Sequence, residues 1–190
     1  MRRKIVKKED QRTKITKEIF RRTLISLLET ENLNRISVTE LCKRAELSRA
    51  TFYTYYIDIF DLFEKIENSV YEKLEQFLKE HDSNASRLEK IVEYVGEHNR
   101  LFSVLLNVDG SSNFKRSIMK LTRSFAGSDD KSERSNIHDY IEDYAVDGSI
   151  SVLLHWLQNG KKESPQTISN LLTVLQSYSD KDIENVIKTS

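Results

Sequence analysis

A chain of 190 residues that is 38% hydrophobic and 32% charged can bury a core beneath a solvated surface, which excludes the disordered class. No apolar run nears the ~20 residues needed to span a bilayer, so no membrane partner is expected. The net charge of zero hides an asymmetry: residues 1–60 carry 14 Lys/Arg against 8 Asp/Glu, and residues 61–190 carry 16 against 22. A basic front third on an acidic remainder points the front end at a polyanion.

The N-terminal Arg2, Arg3, Lys4, Lys7 and Lys8 form a basic arm with no apolar segment after it. That pattern is unlike a secretory signal, and the cytoplasm is the expected compartment. Cys42 is the only cysteine, so no disulfide within the chain and no cysteine-based zinc cluster is expected.

Five Gly and one Pro leave few breaks, and no stretch alternates with period 2, which predicts an all-α fold. Ile15, Ile19, Phe20, Leu24, Leu27 and Leu28 recur at helical spacing and predict a first helix over about residues 14–30. Ser37, with Glu40 three residues on, reads as a capping box opening a short helix from Val38 to Ala45. Ser48 caps a second short helix through about Tyr55. Asp58 and Asp61 open a long helix whose buried stripe reads Phe60, Phe63, Ile66, Val70, Leu74 and Phe77. Residues 81–86 read as a hinge. Further helices are expected at 86–97, 99–107, 112–126, 136–159, 165–178 and 181–188, with a polar loop over 127–135 and Pro165 in the first turn of its helix.

Two short capped helices joined at Glu46-Leu47 make a helix-turn-helix, with Leu41, Ala45, Leu47, Phe52 and Tyr56 spaced to lock it. The second helix of such a unit enters the major groove of double-stranded DNA. Arg49 suits a bidentate pair with guanine, and Ala50 or the Thr51 methyl suits a thymine methyl. Tyr53, Tyr55 and Thr39 offer hydroxyls to phosphates. Ser37, Ser48 and Thr54 complete the candidate surface, and Lys43 and the basic arm supply a sequence-independent grip.

The runs Ile36-Ser37-Val38-Thr39-Glu40-Leu41-Cys42 and Ala45-Glu46-Leu47-Ser48-Arg49-Ala50-Thr51-Phe52-Tyr53-Thr54-Tyr55-Tyr56 resemble the DNA-binding signature of the TetR family. The likeness covers about residues 12–75. It implies an arm and DNA-binding head over 1–57, a connecting helix over 58–80, and a ligand-binding and dimerisation body over 81–190. Two departures stand out. Many members have Gly where this chain has Glu46, which disfavours a positive φ and predicts a turn of different local shape. Many also place Lys at the start of the fourth helix, where this chain has Ile57 and Ile59.

The stretch from Asp139 to Ile150 and on through Asn159-Gly160 to Ser164-Pro165 resembles a TetR subgroup that includes regulators similar to those of dihydroxyacetone kinase operons. Apolar residues there wrap more than one helix face, so the helix needs two buried sides. With the next helix it reads as a homodimer interface built on Ile150, Leu153, Leu154, Trp156, Leu157, Leu171 and Leu175, as the resemblance implies, with a buried intramolecular helix in a monomer as the alternative. Tyr94, Phe102, Phe114, Phe125 and Tyr144 are candidates for a small-molecule inducer site, with plain core as the alternative.

Cys42 reads as a small buried apolar residue. His138 and Glu142 stand four apart, but two ligands make no metal site. No phosphate loop or nucleophile motif appears, so neither a cofactor nor enzymatic activity is expected. The expected function is a ligand-responsive repressor binding a palindromic operator as a homodimer. The alternative is a co-regulator of the same fold acting through protein–protein contacts.

Overall fold

In the computed structural model, the described residues are 11–80, 84–107, 114, 116–118, 121 and 136–175. Among them every regular element is a helix: α1 (Gln11–Leu28), a 3-10 turn (Leu33–Arg35), α2 (Val38–Ala45), α3 (Arg49–Tyr53), α4 (Ile59–Glu80), α5 (Asn84–Glu97), α6 (Asn99–Asn107), α7 (Asn136–Gln158) and α8 (165–175). The basic arm, the loop over 127–135, the terminal helix over 181–188 and Phe125 lie outside the described residues. The chain divides into two compact units, Met1–Asn68 and Ser69–Ser190. The division falls inside α4.

The first unit packs α1 on α2 and α2 on α3. Phe20, Leu24, Leu27, Leu41 and Phe52 are fully buried, and Cys42 is buried among them. Phe20 meets Phe52 edge-on at 5.3 Å between ring centroids and Tyr56 at 6.0 Å, and Phe52 lies 5.3 Å from Tyr56. Each large apolar side chain buried this way is worth about 1.5–3 kcal/mol in transfer alone. α1 stops where Thr30 and Glu31 N–H groups both donate to the Leu27 carbonyl, and Arg44 then ties Glu31 (3.2 Å) to Glu40 (3.0 Å) across the connection.

Two positions on the expected stripes face outward. Ile15 is exposed on α1, and Phe60 is exposed on α4. Ile59 takes the inward place instead, in phase with Leu62, Phe63 and Ile66. Asp58 is the reason for that phase: its Oδ1 accepts the Asp61 N–H at 2.8 Å, which fixes Ile59 as the first residue of the helix.

In the second unit α5 and α6 pack on each other and on α7. Its core holds Val70, Leu74, Val92, Val95, Leu101, Phe102, Leu105, Trp156, Leu157, Ile168 and Leu172. α5 begins at Asn84, so residues 84–86 of the expected hinge are helical, and residues 81–83 lie outside the described residues. α7 ends in a turn where Gly160 and Lys161 both take positive φ, 77° and 55°, and the Lys161 N–H donates to the Trp156 carbonyl at 2.9 Å. Lys161 Nζ reaches the Gly96 carbonyl at 2.7 Å, and the Trp156 indole N–H donates to the Glu163 carbonyl at 3.0 Å. Ser164 then caps α8 by accepting the Thr167 N–H at 3.1 Å.

Candidate nucleic-acid interface

Local capping chemistry sets both short helices. Ser37, in extended backbone, accepts the Glu40 N–H at 3.1 Å and starts α2. The expected reciprocal half of that box is not made, because Glu40 turns its carboxylate to Arg44 instead. Ser48 Oγ accepts the Thr51 N–H at 3.0 Å and shares a 2.8 Å hydrogen bond with the Thr51 hydroxyl, starting α3.

Between the caps, Glu46 adopts the left-handed region at φ 54° and ψ 35°. The sequence predicts a turn that avoids this geometry, and the structure corrects it. The Leu47 N–H closes on the Cys42 carbonyl at 3.1 Å, while Leu41, Ala45 and Phe52 bury the crossing of α2 and α3. That packing outweighs the ~1 kcal/mol that a side chain costs in left-handed backbone. Glu46→Gly is therefore expected to raise stability by about 1 kcal/mol, seen as a higher urea midpoint with an unchanged m-value. An equal or lower midpoint would show that Glu46 carries no strain.

α3 ends at Tyr53, short of the expected 48–55, with Thr54 still in right-handed helical backbone as its C-cap and the Tyr55 and Tyr56 N–H groups both returning to the Phe52 carbonyl. Phe52 anchors it inward. Arg49, Ala50, Tyr53 and Thr54 form the outward face, with Tyr53 at 52% exposure. Thr54 Oγ1 donates to the Ala50 carbonyl at 3.0 Å. Thr51 and Tyr55 are half-buried, whereas Ser37, Thr39, Lys43 and Ser48 are exposed. All ten candidate residues thus lie in one α2–turn–α3 segment. Burial raises the Cys42 thiol pKa and the Arg49 charge opposes that rise.

Two residues absent from the sequence reading border this surface. Lys17 Nζ of α1 lies 5.6 Å from the Tyr55 ring centroid, and Lys65 Nζ of α4 accompanies the backbone of the same residue, 3.1 Å from its carbonyl. The Asp61–Lys65 spacing of four was a visible signal for a pair on α4, but a backbone carbonyl as its third partner leaves no trace in sequence. Lys65, first, and the Ile57 N–H hold the Asp61 carboxyl below the usual carboxylate range. Ile57, at 79% exposure, stands out in solvent.

In the second unit, Tyr94 meets Phe77 and Phe102 edge-on, each at 5.6 Å, and Phe102 and Phe114 are buried. Tyr144 does not join them, being 74% exposed on α7. Phe77 is the member of that cluster the sequence reading assigned only to core. Of the expected interface residues, Leu171 and Leu175 are exposed on α8 with Val174, while Ile150, Leu153 and Leu154 are half-buried. Trp156 and Leu157 are buried within the single chain, the indole lying against Gly96. Among the described residues no three His, Cys, Asp or Glu side chains form a metal cluster.

The family model TetR_C_8, a transcriptional regulator C-terminal region, matches residues 82–178. The chain is 24% identical over 171 residues to the HTH-type transcriptional regulator YxbF of Bacillus subtilis (strain 168), covering 81% of this chain and 43% of YxbF; the chain thus spans less than half of that relative's length. Among solved structures, a TetR transcriptional regulator from Streptococcus agalactiae 2603V superposes with a TM-score of 0.65 at 18% identity, over 88% of this chain and 96% of that one. The dihydroxyacetone kinase operon activator DhaS gives 0.54 at 17% identity, over 88% and 97%. The regulator FadR from Bacillus subtilis, in complex with stearoyl-CoA, gives 0.59 at 14% identity, over 84% and 96%.

Proposed function

Because the chain belongs to the TetR family of transcriptional regulators, we propose that it is a ligand-responsive repressor that reads a palindromic operator as a homodimer in the cytoplasm, acting by binding and not by turnover. The observation that carries this reading is α3: Ser48 caps it, Phe52 anchors it, and Arg49, Ala50, Tyr53 and Thr54 point outward from it. A short, rigidly seated helix with an arginine at its start suits insertion into the major groove, with Arg49 facing a guanine edge. Thr39 and Lys43 of α2 stand exposed for phosphate contacts.

A head of this kind needs a second copy to match a two-fold operator. The outward Leu171, Val174 and Leu175 of α8 support a second copy as partner, since Ile168 and Leu172 already satisfy the protomer's own core. The aromatic set Phe77, Tyr94 and Phe102 supports an apolar ligand in the body, in keeping with the acyl-CoA bound by FadR. Such a ligand acts by preferring a state whose heads do not fit adjacent grooves, and its differential affinity sets the size of the release. No described helix is long and apolar enough to cross a membrane.

The test is fluorescence anisotropy with the DNA upstream of the chain's own gene, across a salt series, for the wild type and Arg49→Ala. The substitution is expected to weaken operator binding by about 1–3 kcal/mol while binding to scrambled DNA changes little. Equal weakening on both duplexes would make Arg49 a phosphate contact and remove it from sequence reading.

A further inference from the structure

Five residues give α3 few internal hydrogen bonds, and its far end is held from outside. Lys65 Nζ donates to the Tyr55 carbonyl at 3.1 Å and to Asp61 Oδ2 at 2.8 Å, and lies 5.1 Å from the Tyr56 ring centroid. Asp61 Oδ2 also accepts the Ile57 N–H at 2.9 Å, and the Asp61 N–H donates to Asp58 Oδ1. One ammonium group therefore joins the exit from α3, the α3–α4 connection and the first turns of α4. A cation beside the carbonyl end of a helix also complements its dipole.

The fold has little need of this arrangement. The Lys65 and Asp61 side chains are 52% and 20% exposed, and so solvated a pair adds only about 0–1 kcal/mol to stability. Its location matters more. The outward Tyr53 and Thr54 stand at the end of α3 that Lys65 clamps, so a looser clamp lets them wander while Phe52 keeps the helix seated.

We propose that Lys65 is a positioning residue for DNA reading: it fixes the exit from α3 against α4 so that Tyr53 and Thr54 meet the duplex in one pose. The inference rests on the DNA-reading function argued above. In this role Lys65 acts through Tyr55, Tyr56 and Asp61, the groups its ammonium meets, and not through a DNA contact of its own.

The full-length double variant Asp61→Asn/Lys65→Met tests it. The net charge is preserved, and Asn keeps an acceptor for the Ile57 N–H. Anisotropy is measured on the upstream duplex and on a scrambled one across a KCl series, and amide hydrogen exchange is followed without DNA. The upstream-to-scrambled affinity ratio is expected to fall about fivefold, the scale of ~1 kcal/mol, with an unchanged salt slope. Exchange at the Tyr55 and Tyr56 amides should quicken while α1 and α2 stay protected, and Lys65→Arg should retain most of the wild-type ratio. A salt slope shallower by about 1, with both duplexes weakened alike, would make Lys65 a phosphate ligand and overturn the proposal. Unchanged ratio and exchange would reduce it to a solvated ion pair. If the wild type itself shows no preference between the duplexes, the upstream DNA is not its operator, and the exchange measurement alone decides whether Lys65 positions α3.

Discussion

Gly96→Leu is expected to cost the second unit about 3 kcal/mol or more and to lower its thermal midpoint by many degrees. A β-carbon at Gly96 would lie 2.7 Å from Cη2 of the Trp156 indole and 3.4 Å from Cζ3, closer than packed carbons approach. The indole has little freedom to swing aside, since its N–H is bonded to the Glu163 carbonyl and Lys161 grips the Gly96 carbonyl from the same turn. Leu is a strong helix former, so helix propensity alone would favour the substitution by ~1 kcal/mol; a measured loss is therefore steric in origin. Shortening the ring in Gly96→Ala/Trp156→Phe should recover part of what Gly96→Ala loses. Full additivity of the two changes in urea melts would show that the contact is not what fails.

The second large effect is a stability that falls as pH rises from about 4.5 to about 7. Glu67 on α4 has its pKa raised to about 7, first by burial and then by the neighbouring Glu64 charge, and its Oε1 is buried without a hydrogen-bond partner. The unfolded chain releases this proton near the ordinary glutamate value of ~4.3. Between the two values the folded protein binds more protons than the unfolded one, so the slope of stability against pH is negative. The contribution is fully present below the unfolded pKa and gone above the folded one. Solvent screening at a half-buried site scales the loss to about 1–2 kcal/mol. Glu67→Gln should match the acid-side stability at pH 8 and flatten the profile between pH 5 and 7. A wild-type profile already flat over that window would remove the premise.

The helix-turn-helix was legible because its markers are local. Ser37 and Ser48 each cap a helix three residues ahead, and such bonds depend on adjacent residues only. What sequence missed depends on distant partners. Glu46 enters left-handed backbone because the burial of Leu41, Ala45 and Phe52 outweighs its local preference. The choice between Phe60 and Ile59 as the inward residue, by contrast, had a local marker in Asp58, whose cap sets the start of α4. Trp156 shows the limit for interfaces: a helix apolar on several faces states that two sides are covered, not whether the cover is the same chain. Here Gly96 supplies it. The candidate site divides the same way. Arg49, Tyr53 and Thr54 could be placed by counting from Ser48, whereas Lys65 could not, because the carbonyl it binds looks like every other carbonyl in the sequence.

The five residues of α3 advance about 7.5 Å along the helix axis, roughly the rise of two base pairs. A word that short recurs at a great many places in any genome, where some 10⁶–10⁹ competing positions are on offer. One copy of this chain could therefore recognise DNA without ever finding an address. Pairing two copies on a rigid spacing, as proposed above, would multiply their selectivities, so that the information needed to name a single promoter would reside as much in the distance between two heads as in the letters either one reads.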